Sequence, residues 1–378
     1  MDKCVKRLGM GITSGKAAKA VENQRARKLY EEIFDEDSPA FVDYYFRVKA
    51  AENEIFVVEN EKQEILATLH LNPYEMMFCG ERVKTNYIVA VATRADCRHQ
   101  GMMRSLLQAS LQEMYRREET FTWLMPAIYR PFGFRFIYEK NKMTVTADVL
   151  RRAETDEKWQ IHSDQEVSGD IFCEEAKKED LAELACFAEK QLSKLAEVYT
   201  VHDIAYFEQR MQEVECEGGS LILIRKEKEI CGYFLALKKD REAWEIVVED
   251  AVQKKAFPAV LHWFGESKEK CTFTAFPQIW EQYAQSENVP AIMGRIVHLE
   301  RFVCCLKIKK EQEWKIRLTD SLIPENNGYF IIKTGIEGGS LIRVENLSEK
   351  EKKMFCSMDI GQLTEELFRL PVFLNEVV

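Results

Sequence analysis

The sequence has no long apolar run. Its longest stretch free of Asp, Glu, Lys and Arg is ten residues, for example Cys271 to Trp280. A membrane-spanning helix needs about 20, so no span and no membrane partner are expected. No apolar leader follows Met1, which places the chain in the cytoplasm as an expectation. There is no CxxC pair among the 11 cysteines and no HExxH among the six histidines. An odd number of thiols, two of them adjacent at Cys304 and Cys305, suits neither a disulfide framework nor a chelating site. Reduced, mostly buried thiols and no metal are the expectation. Basic charge is also in deficit, with 53 Lys and Arg against 63 Asp and Glu, a net of −10. That excludes the basic footprint a nucleic acid requires and favours cationic substrates, whose local concentration a negative protein raises. The one basic region is the first 28 residues, where eight Lys and Arg face only Asp2 and Glu22. It runs directly into the helical pattern around Leu29, so it reads as a solvated helix face rather than a presequence.

What remains is an ordinary globular composition, 46% hydrophobic and 31% charged over 378 residues, enough for two or three domains. Helices are expected over 24–34 and 39–51, the second opened by Asp37-Ser38-Pro39, a cap followed by proline. Ile55-Phe-Val-Val and Ile65 to Leu71 flank a charged turn, which is a hairpin pattern. Tyr87 to Thr93 is nearly all apolar and predicts a strand buried on both faces. A helix over 102–117 and strands at 121–125 and 136–145 follow. The layout then repeats: helical stretches at 178–196 and 203–214 precede Leu221–Ile224 and Ile230–Leu237, two apolar runs around a charged turn. This reads either as a second copy of the first unit or as the layout of any hairpin. Beyond about residue 293 the pattern changes to short strands at 314–318, 329–333 and 341–344, a turn around Asn326-Asn327-Gly328, and helices at 348–357 and 360–367. The apolar tail Pro371–Val378 is expected to be packed. The fold class is α+β, built of mixed α/β layers, and divides as 1–150, 151–292 and 293–378.

The chemistry concentrates in Val91-Ala-Thr93-Arg-Ala-Asp-Cys-Arg98-His99-Gln100-Gly101-Met102-Met103-Arg104. A buried strand ends and a glycine loop opens a helix. The unsatisfied N–H groups and positive dipole end of that helix make an anion site that suits a diphosphate. Arg98 and Arg104 add charge, and the strand end offers main-chain hydrogen bonds to an amide-bearing ligand. One strand further on lies Ile128-Tyr129-Arg-Pro-Phe-Gly133-Phe134.

These segments resemble the acyl-CoA motif of the GNAT superfamily of N-acetyltransferases, with Met103 in place of the usual final small residue. The whole chain resembles the Eis-like branch, through Ile292-Met-Gly-Arg295-Ile-Val-His-Leu-Glu-Arg-Phe302, Leu322-Ile-Pro-Glu-Asn-Asn-Gly328 and the ending Phe373-Leu-Asn-Glu-Val-Val378. The resemblance implies a GNAT domain, a second degenerate GNAT-like domain lacking the CoA loop, and a sterol carrier protein-like domain. It implies acetyl-CoA as co-substrate, with its pantetheine arm on Val91, Ala92 and Thr93 and its diphosphate on the N–H groups of His99, Gln100, Gly101, Met102, Met103 and Arg104. It implies Tyr129 as general acid and the carboxylate of Val378 as general base. Phe34, Asp35, Glu36 and Tyr45 fall where the family places an aromatic and acidic amine pocket; carboxylates and rings suit a cation, although the same residues also describe a solvated helix end over core aromatics. A trimer-based homo-oligomer, hexamers included, is implied as well. Between strand and tyrosine this chain has only Met125-Pro-Ala, shorter than the family loop.

Two functions follow: acetyl transfer to a primary amine, whether aminoglycoside, polyamine or lysine, or a non-catalytic acyl-CoA or lipid-binding protein with a vestigial transferase domain. Gly11-Ile-Thr-Ser-Gly-Lys16 is no P-loop, because Met10 and Ala17 stand where that motif needs Gly and Ser or Thr.

Overall fold

A computed structural model describes residues 5–9, 16–146, 149, 170–265 and 270–376. The chain groups into two compact units. The first comprises Met1–Tyr138, Glu197–Thr200 and Ala291–Val378; the second comprises Glu139–Ala196 and Val201–Pro290. Among the described residues, no helix is long and apolar enough to cross a membrane.

The first unit is organised by one sheet: β1 (Val5–Arg7), β2 (Glu54–Glu59), β3 (Ile65–Phe78), β4 (Glu81–Thr93) and β5 (Phe121–Leu124), in that spatial order. Neighbours are antiparallel except β4 and β5, which run parallel. A crossover between parallel strands needs a helix, and α5 (Met102–Arg116) supplies it. Period-2 alternation sorts the side chains. Phe56, Val58, Leu69, Leu71 and Ile88 join Leu106, Leu107, Leu111 and Met114 of α5 in one core. Ile55, Val57, Tyr87, Val89 and Trp123 join Tyr30, Val42, Tyr45 and Phe46 in another. The latter come from α2 (Arg27–Ile33), α3 (Pro39–Tyr44) and a π-helical turn at Tyr45–Lys49, with α1 (Lys16–Asn23) before them in the chain and the short α4 (Ala50–Glu52) after. Ser38 caps α3, its hydroxyl accepting from the Phe41 N–H at 3.1 Å with Pro39 in the first turn, as the sequence predicts.

The β3–β4 hairpin is much longer than the apolar pattern indicates. It continues through Pro73-Tyr-Glu to a turn at Cys79-Gly80, because cross-strand pairing holds the polar half that hydrophobicity does not mark. The C-terminal segment adds a four-stranded sheet in the order Ser340–Val344, Gly328–Thr334, Gln312–Thr319, Cys356–Asp359. Two expectations are corrected there. Asn327-Gly328 is not a tight hairpin turn: Leu318 pairs Gly328, and the chain between them wraps around Asp320. The helix expected over 348–357 is only Glu349–Lys352, since Cys356–Asp359 forms a parallel edge with Ile316–Thr319. The tail is packed as far as described, with Leu374, Asn375 and Glu376 buried.

The second unit repeats the element order of the first. Strand Ile171–Glu175 is followed by helices Leu181–Leu195 and Ile204–Cys216. Strands Ser220–Lys226, Glu229–Leu237 and Glu242–Val248 come next, then helix Gln253–Trp263 and strand Cys271–Thr274, parallel to Glu242–Trp244. The sequence pattern stops short of these last three elements. The loop that would match the anion loop of the first unit reads Glu249-Asp250-Ala251-Val252, with no glycine and two carboxylates. Such a loop repels a diphosphate.

The buried pair Arg295–Asp320 ties the first unit together. Their 2.6 Å contact has both side chains fully inaccessible. Asp320→Ala would leave a buried guanidinium unpaired, which costs about 3–5 kcal/mol. Urea unfolding should show that loss; a variant within about 1 kcal/mol of the parent would remove the pair from this role.

Candidate functional site

The β4–β5 pairing is short. Tyr87 pairs Trp123 and Ile88 pairs Leu124, and the ladder ends there, while β4 continues to Thr93. On the β3 side the register slips between Thr68 and His70, so Ala90 and Val91 together oppose Leu69. This is a β-bulge, and Ala90 carries its strain at φ 50°. The two strands therefore diverge just where β4 is kinked. Main-chain groups of Ala90 to Thr93 on the β5 side have no ladder partner among the described residues, and buried or half-buried peptide groups require one.

The chain then makes a 3-10 turn at Ala95–Cys97 and reaches α5 through exposed Arg98, His99, Gln100 and Gly101. His99 and Gly101 both lie in the left-handed region, at φ 61° and 80°. No side chain caps α5. Alternating backbone signs turn successive N–H groups toward one side, a nest for an anion, and the uncapped first turn of the helix adds its own. A Cβ on Gly101 would meet nothing within 4 Å. The glycine is thus required by its backbone angle and by the open approach to the loop, not by crowding. Arg98 lies against the strand end, its Nε donating to Thr93 O at 3.3 Å. Arg104 is exposed and Met103 half-buried. Met102 is a core residue, so only its N–H faces the loop.

Tyr129 begins the short turn Arg130–Phe132 and packs on Phe134 at 5.8 Å. It shares one apolar cluster with Val91, Met102, Met103 and Phe132, which brings the sequence-predicted tyrosine and the strand–loop segment together. Its hydroxyl takes no hydrogen bond among the described residues. Burial pushes its pKa up to about 12, so it stays protonated through the neutral range. Arg295 positions this loop: its Nε donates to Phe132 O at 2.8 Å. Val378 lies outside the described residues.

Of the substrate-side residues, Asp35 and Glu36 are exposed at the α2–α3 junction, and Phe34 is half-buried on Tyr30 at 4.7 Å. Tyr45 is fully buried, stacked on Tyr30 at 4.9 Å. Its hydroxyl accepts from Asn53 Nδ2 at 3.3 Å and meets His70 Nδ1 at 2.7 Å. The Tyr45 proton is thereby directed to Nδ1, and the neutral imidazole carries its own proton on Nε2.

His70 was not anticipated. With Thr68 and Asn72 it makes a polar stripe at every second position of β3, and all three are buried. Thr68 Oγ1, His70 Nε2 and Asn72 Nδ2 have no partner among the described residues. The signal was legible as Ala-Thr-Leu-His-Leu-Asn, alternating polar and apolar where a doubly covered strand should be apolar throughout. The stripe flanks the bulge, with His70 opposite Val89 and Thr68 opposite Ala92.

Residues 15–137 match the family model described as Acetyltransferase (GNAT) domain. The chain carries an acyltransferase domain. No curated protein matches the chain. Solved structures share the fold over nearly its full length. A probable N-acyltransferase from Enterococcus faecalis is 15% identical, with a TM-score of 0.74, covering 96% of this chain and 88% of that one. A GCN5-related N-acetyltransferase from Anabaena variabilis is 16% identical, with a TM-score of 0.71, covering 97% and 90%. Eis1 from Mycobacterium abscessus is 13% identical, with a TM-score of 0.66, covering 97% and 89%. At these identities the likeness is one of fold: a mixed α/β GNAT-like architecture. Within the residues matched by that model, the bulged strand, the uncapped α5 and Tyr129 form one contiguous constellation.

Burial holds the His70 pKa near 3, against about 6.5 when unfolded. The unfolded chain therefore takes up the proton first. The stability contributed by a neutral His70 is complete above pH 6.5 and is lost as pH falls toward 3, at about 1.4 kcal/mol per unit. Chemical denaturation at several pH values should show the parent losing stability faster than His70→Asn over that window. Parallel pH profiles would mean that His70 is solvated.

Proposed function

We propose that this chain transfers an acetyl group from acetyl-CoA to a primary amine by direct attack. The observation that carries the reading is the divergence of β4 from β5 at a bulge, leading into an uncapped helix through Gly101. When bound, acetyl-CoA supplies a thioester activated for attack by an amine. Unladdered main-chain groups of Val91, Ala92 and Thr93 suit amide hydrogen bonds along a pantetheine arm. The N–H groups of His99 to Arg104, with the Arg98 and Arg104 guanidiniums, suit its diphosphate. Tyr129 donates a hydrogen bond to the departing sulfur. A phenol near 12 and a thiol near about 8.5 make full proton transfer uphill by several kcal/mol. Tyr129 therefore stabilises the thiolate as it forms, and solvent completes its protonation.

The acceptor side is Phe34, Glu36 and Tyr45 with the β3 stripe behind them. Rings and exposed carboxylates at the α2–α3 junction suit a cationic amine, and the net charge of −10 draws one in. The base is the terminal carboxylate of Val378. Of the run ahead of it, Leu374–Glu376 is buried, with Glu376 bonded to Thr200. A sterol carrier protein-like C-terminal segment, a trimer-based homo-oligomer, a cytoplasmic location and metal-free chemistry complete the proposal.

Gly101→Glu places a carboxylate in the anion nest and should abolish acetyl-CoA binding by calorimetry; undiminished affinity would overturn the placement. Tyr129→Phe removes the hydrogen bond to the developing thiolate and should lower kcat about 10²-fold or more with acetyl-CoA affinity retained. A drop of less than about threefold would make Tyr129 a packing residue.

A further inference from the structure

The Tyr129 hydroxyl takes no hydrogen bond among the described residues, so packing on Phe134 and the backbone turn that carries it must set its place. The turn is a weak platform by itself. Met125, Ile128, Arg130 and Pro131 around it are exposed. Its internal bonds run from Phe132 N–H to Tyr129 O at 2.9 Å and from Gly133 N–H to Arg130 O at 3.1 Å.

Two guanidiniums hold the turn from outside. Arg295 takes Phe132 O, as described above. Arg135, the first residue of the next strand, takes two further carbonyls through Nη1: Arg130 O at 3.1 Å and Phe134 O at 2.9 Å. Its other nitrogens face acids of the C-terminal segment. Nη2 lies 3.5 Å from Asp359 and Nε 3.5 Å from Glu365. Asp359 caps the helix Ile360–Leu367, and Glu365 lies on it. All three guanidinium nitrogens are therefore engaged, a task for a planar fork and not for a single ammonium. The helix also closes directly over the group, since a Cβ on Gly361 would overlap the Arg135 guanidinium. Each anchor thus runs from a carbonyl of the tyrosine turn, through a guanidinium, to a carboxylate of the C-terminal segment: Arg295 to Asp320, and Arg135 to Asp359 and Glu365.

We propose that Arg135 is a positioning residue for acyl transfer: it fixes the Tyr129 turn, and the C-terminal segment fixes Arg135. The inference rests on the reading of Tyr129 as the donor to the departing sulfur. A hydrogen bond weakens steeply with misalignment. A turn displaced by about 1 Å forfeits that stabilisation, while the anion loop at the start of α5 stays where it is. Loss of Arg135 therefore acts on kcat and spares acetyl-CoA affinity.

Arg135→Met keeps most of the side chain's length and removes its donors. It should lower kcat for acetyl transfer to 1,4-diaminobutane about tenfold or more, with acetyl-CoA affinity by calorimetry unchanged. Arg135→Lys should recover part of the loss. Gly361→Ala should reproduce the loss with Arg135 still present and the melting temperature little changed, because the guanidinium end gives way before the helix backbone does. The deciding comparison repeats Arg135→Met in a Tyr129→Phe background. A residue that acts through Tyr129 has nothing left to position there, so the second substitution should change kcat less than about twofold. The same fold loss in both backgrounds would overturn the proposal, by making Arg135 a general support of the fold. So would an undiminished kcat in Arg135→Met when Tyr129→Phe alone is slow. If Tyr129→Phe alone is as fast as the parent, the role of Tyr129 fails first and this inference falls with it. Hydrogen exchange requires no acceptor: the Phe132 and Gly133 amides should exchange about tenfold faster in Arg135→Met, with α5 unchanged. Equal exchange in parent and variant would overturn the proposal by itself.

Discussion

The first unit depends on one buried ion pair. Arg295 and Asp320 sit side by side without solvent contact, and neither tolerates that burial alone. Burial pulls the guanidinium below its ordinary pKa, and Asp320 opposes the shift. Both side chains spend most of their remaining capacity on the backbone. Arg295 donates to Phe132 O and Ile296 O; Asp320 accepts from the N–H groups of Leu322 and Ile323 and from Asn326 Nδ2. One ion pair thus fixes the Tyr129 loop, the Met293–Ile296 segment that pairs with β5 and the start of the C-terminal segment. Gly133 lies under this contact: a Cβ there would come within 2.6 Å of Ile360 Cγ2 and 3.0 Å of Arg295 Nε. Close packing around the ion pair leaves the loop that carries Tyr129 little room to move.

That rigidity matters because the acyl-CoA constellation consists mostly of backbone. Its elements are a strand that leaves its neighbour, a bulge, two left-handed residues and an uncapped helix. Main-chain donors have fixed directions only if the elements bearing them are fixed. Here α5 is held by Leu106, Leu107, Leu111 and Met114 in the core, and β4 is buried on both faces over Thr85 to Ala90. The aromatic cluster of Phe78, Phe121, Phe302 and Phe368 joins the C-terminal segment to the same sheet, with ring centroids 4.9–6.4 Å apart. The second unit has the same order of elements and an intact core of its own. It lacks the glycine and carries Glu249 and Asp250 where the phosphates would sit. The fold persists because its core persists, and the anion loop is absent because a few polar residues differ.

Charge and burial also divide the polar residues. Ion pairs such as Arg94–Asp96 are exposed and contribute little. Buried groups that are costly to desolvate include the Arg295–Asp320 pair, the Thr68–His70–Asn72 stripe, Glu119 with Asn86, and in the second unit Arg210 with Glu213 and Glu245. The Arg295–Asp320 pair is fully matched, whereas Thr68, His70 and Asn72 keep atoms without partners among the described residues. In a folded protein such atoms mark where a ligand or a solvent molecule completes the structure.

Much of this was legible along the chain. Alternating and helical apolar periods located α2, α3, the β2–β3 hairpin and α5. Ser38-Pro39 marked a helix start, and Gly101 between a buried strand and a helix marked the anion loop. These features follow from neighbours in sequence, so the sequence determines them locally: a period, a cap, a residue free to adopt positive φ. Tertiary structure alone decided the rest. The polar half of β3 and β4 is strand only because each pairs the other. Asn327-Gly328 gave up its turn because Asp320 gathered the surrounding N–H groups. Ala90 accepts φ 50° because the ladders on its two sides are out of step. The partnership of Arg295 with Asp320, and of Asn86 with Glu119, joins residues 25 and 33 positions apart. No local pattern encodes such pairs, because their free energy comes from sharing a site without water, and only the folded chain creates that site.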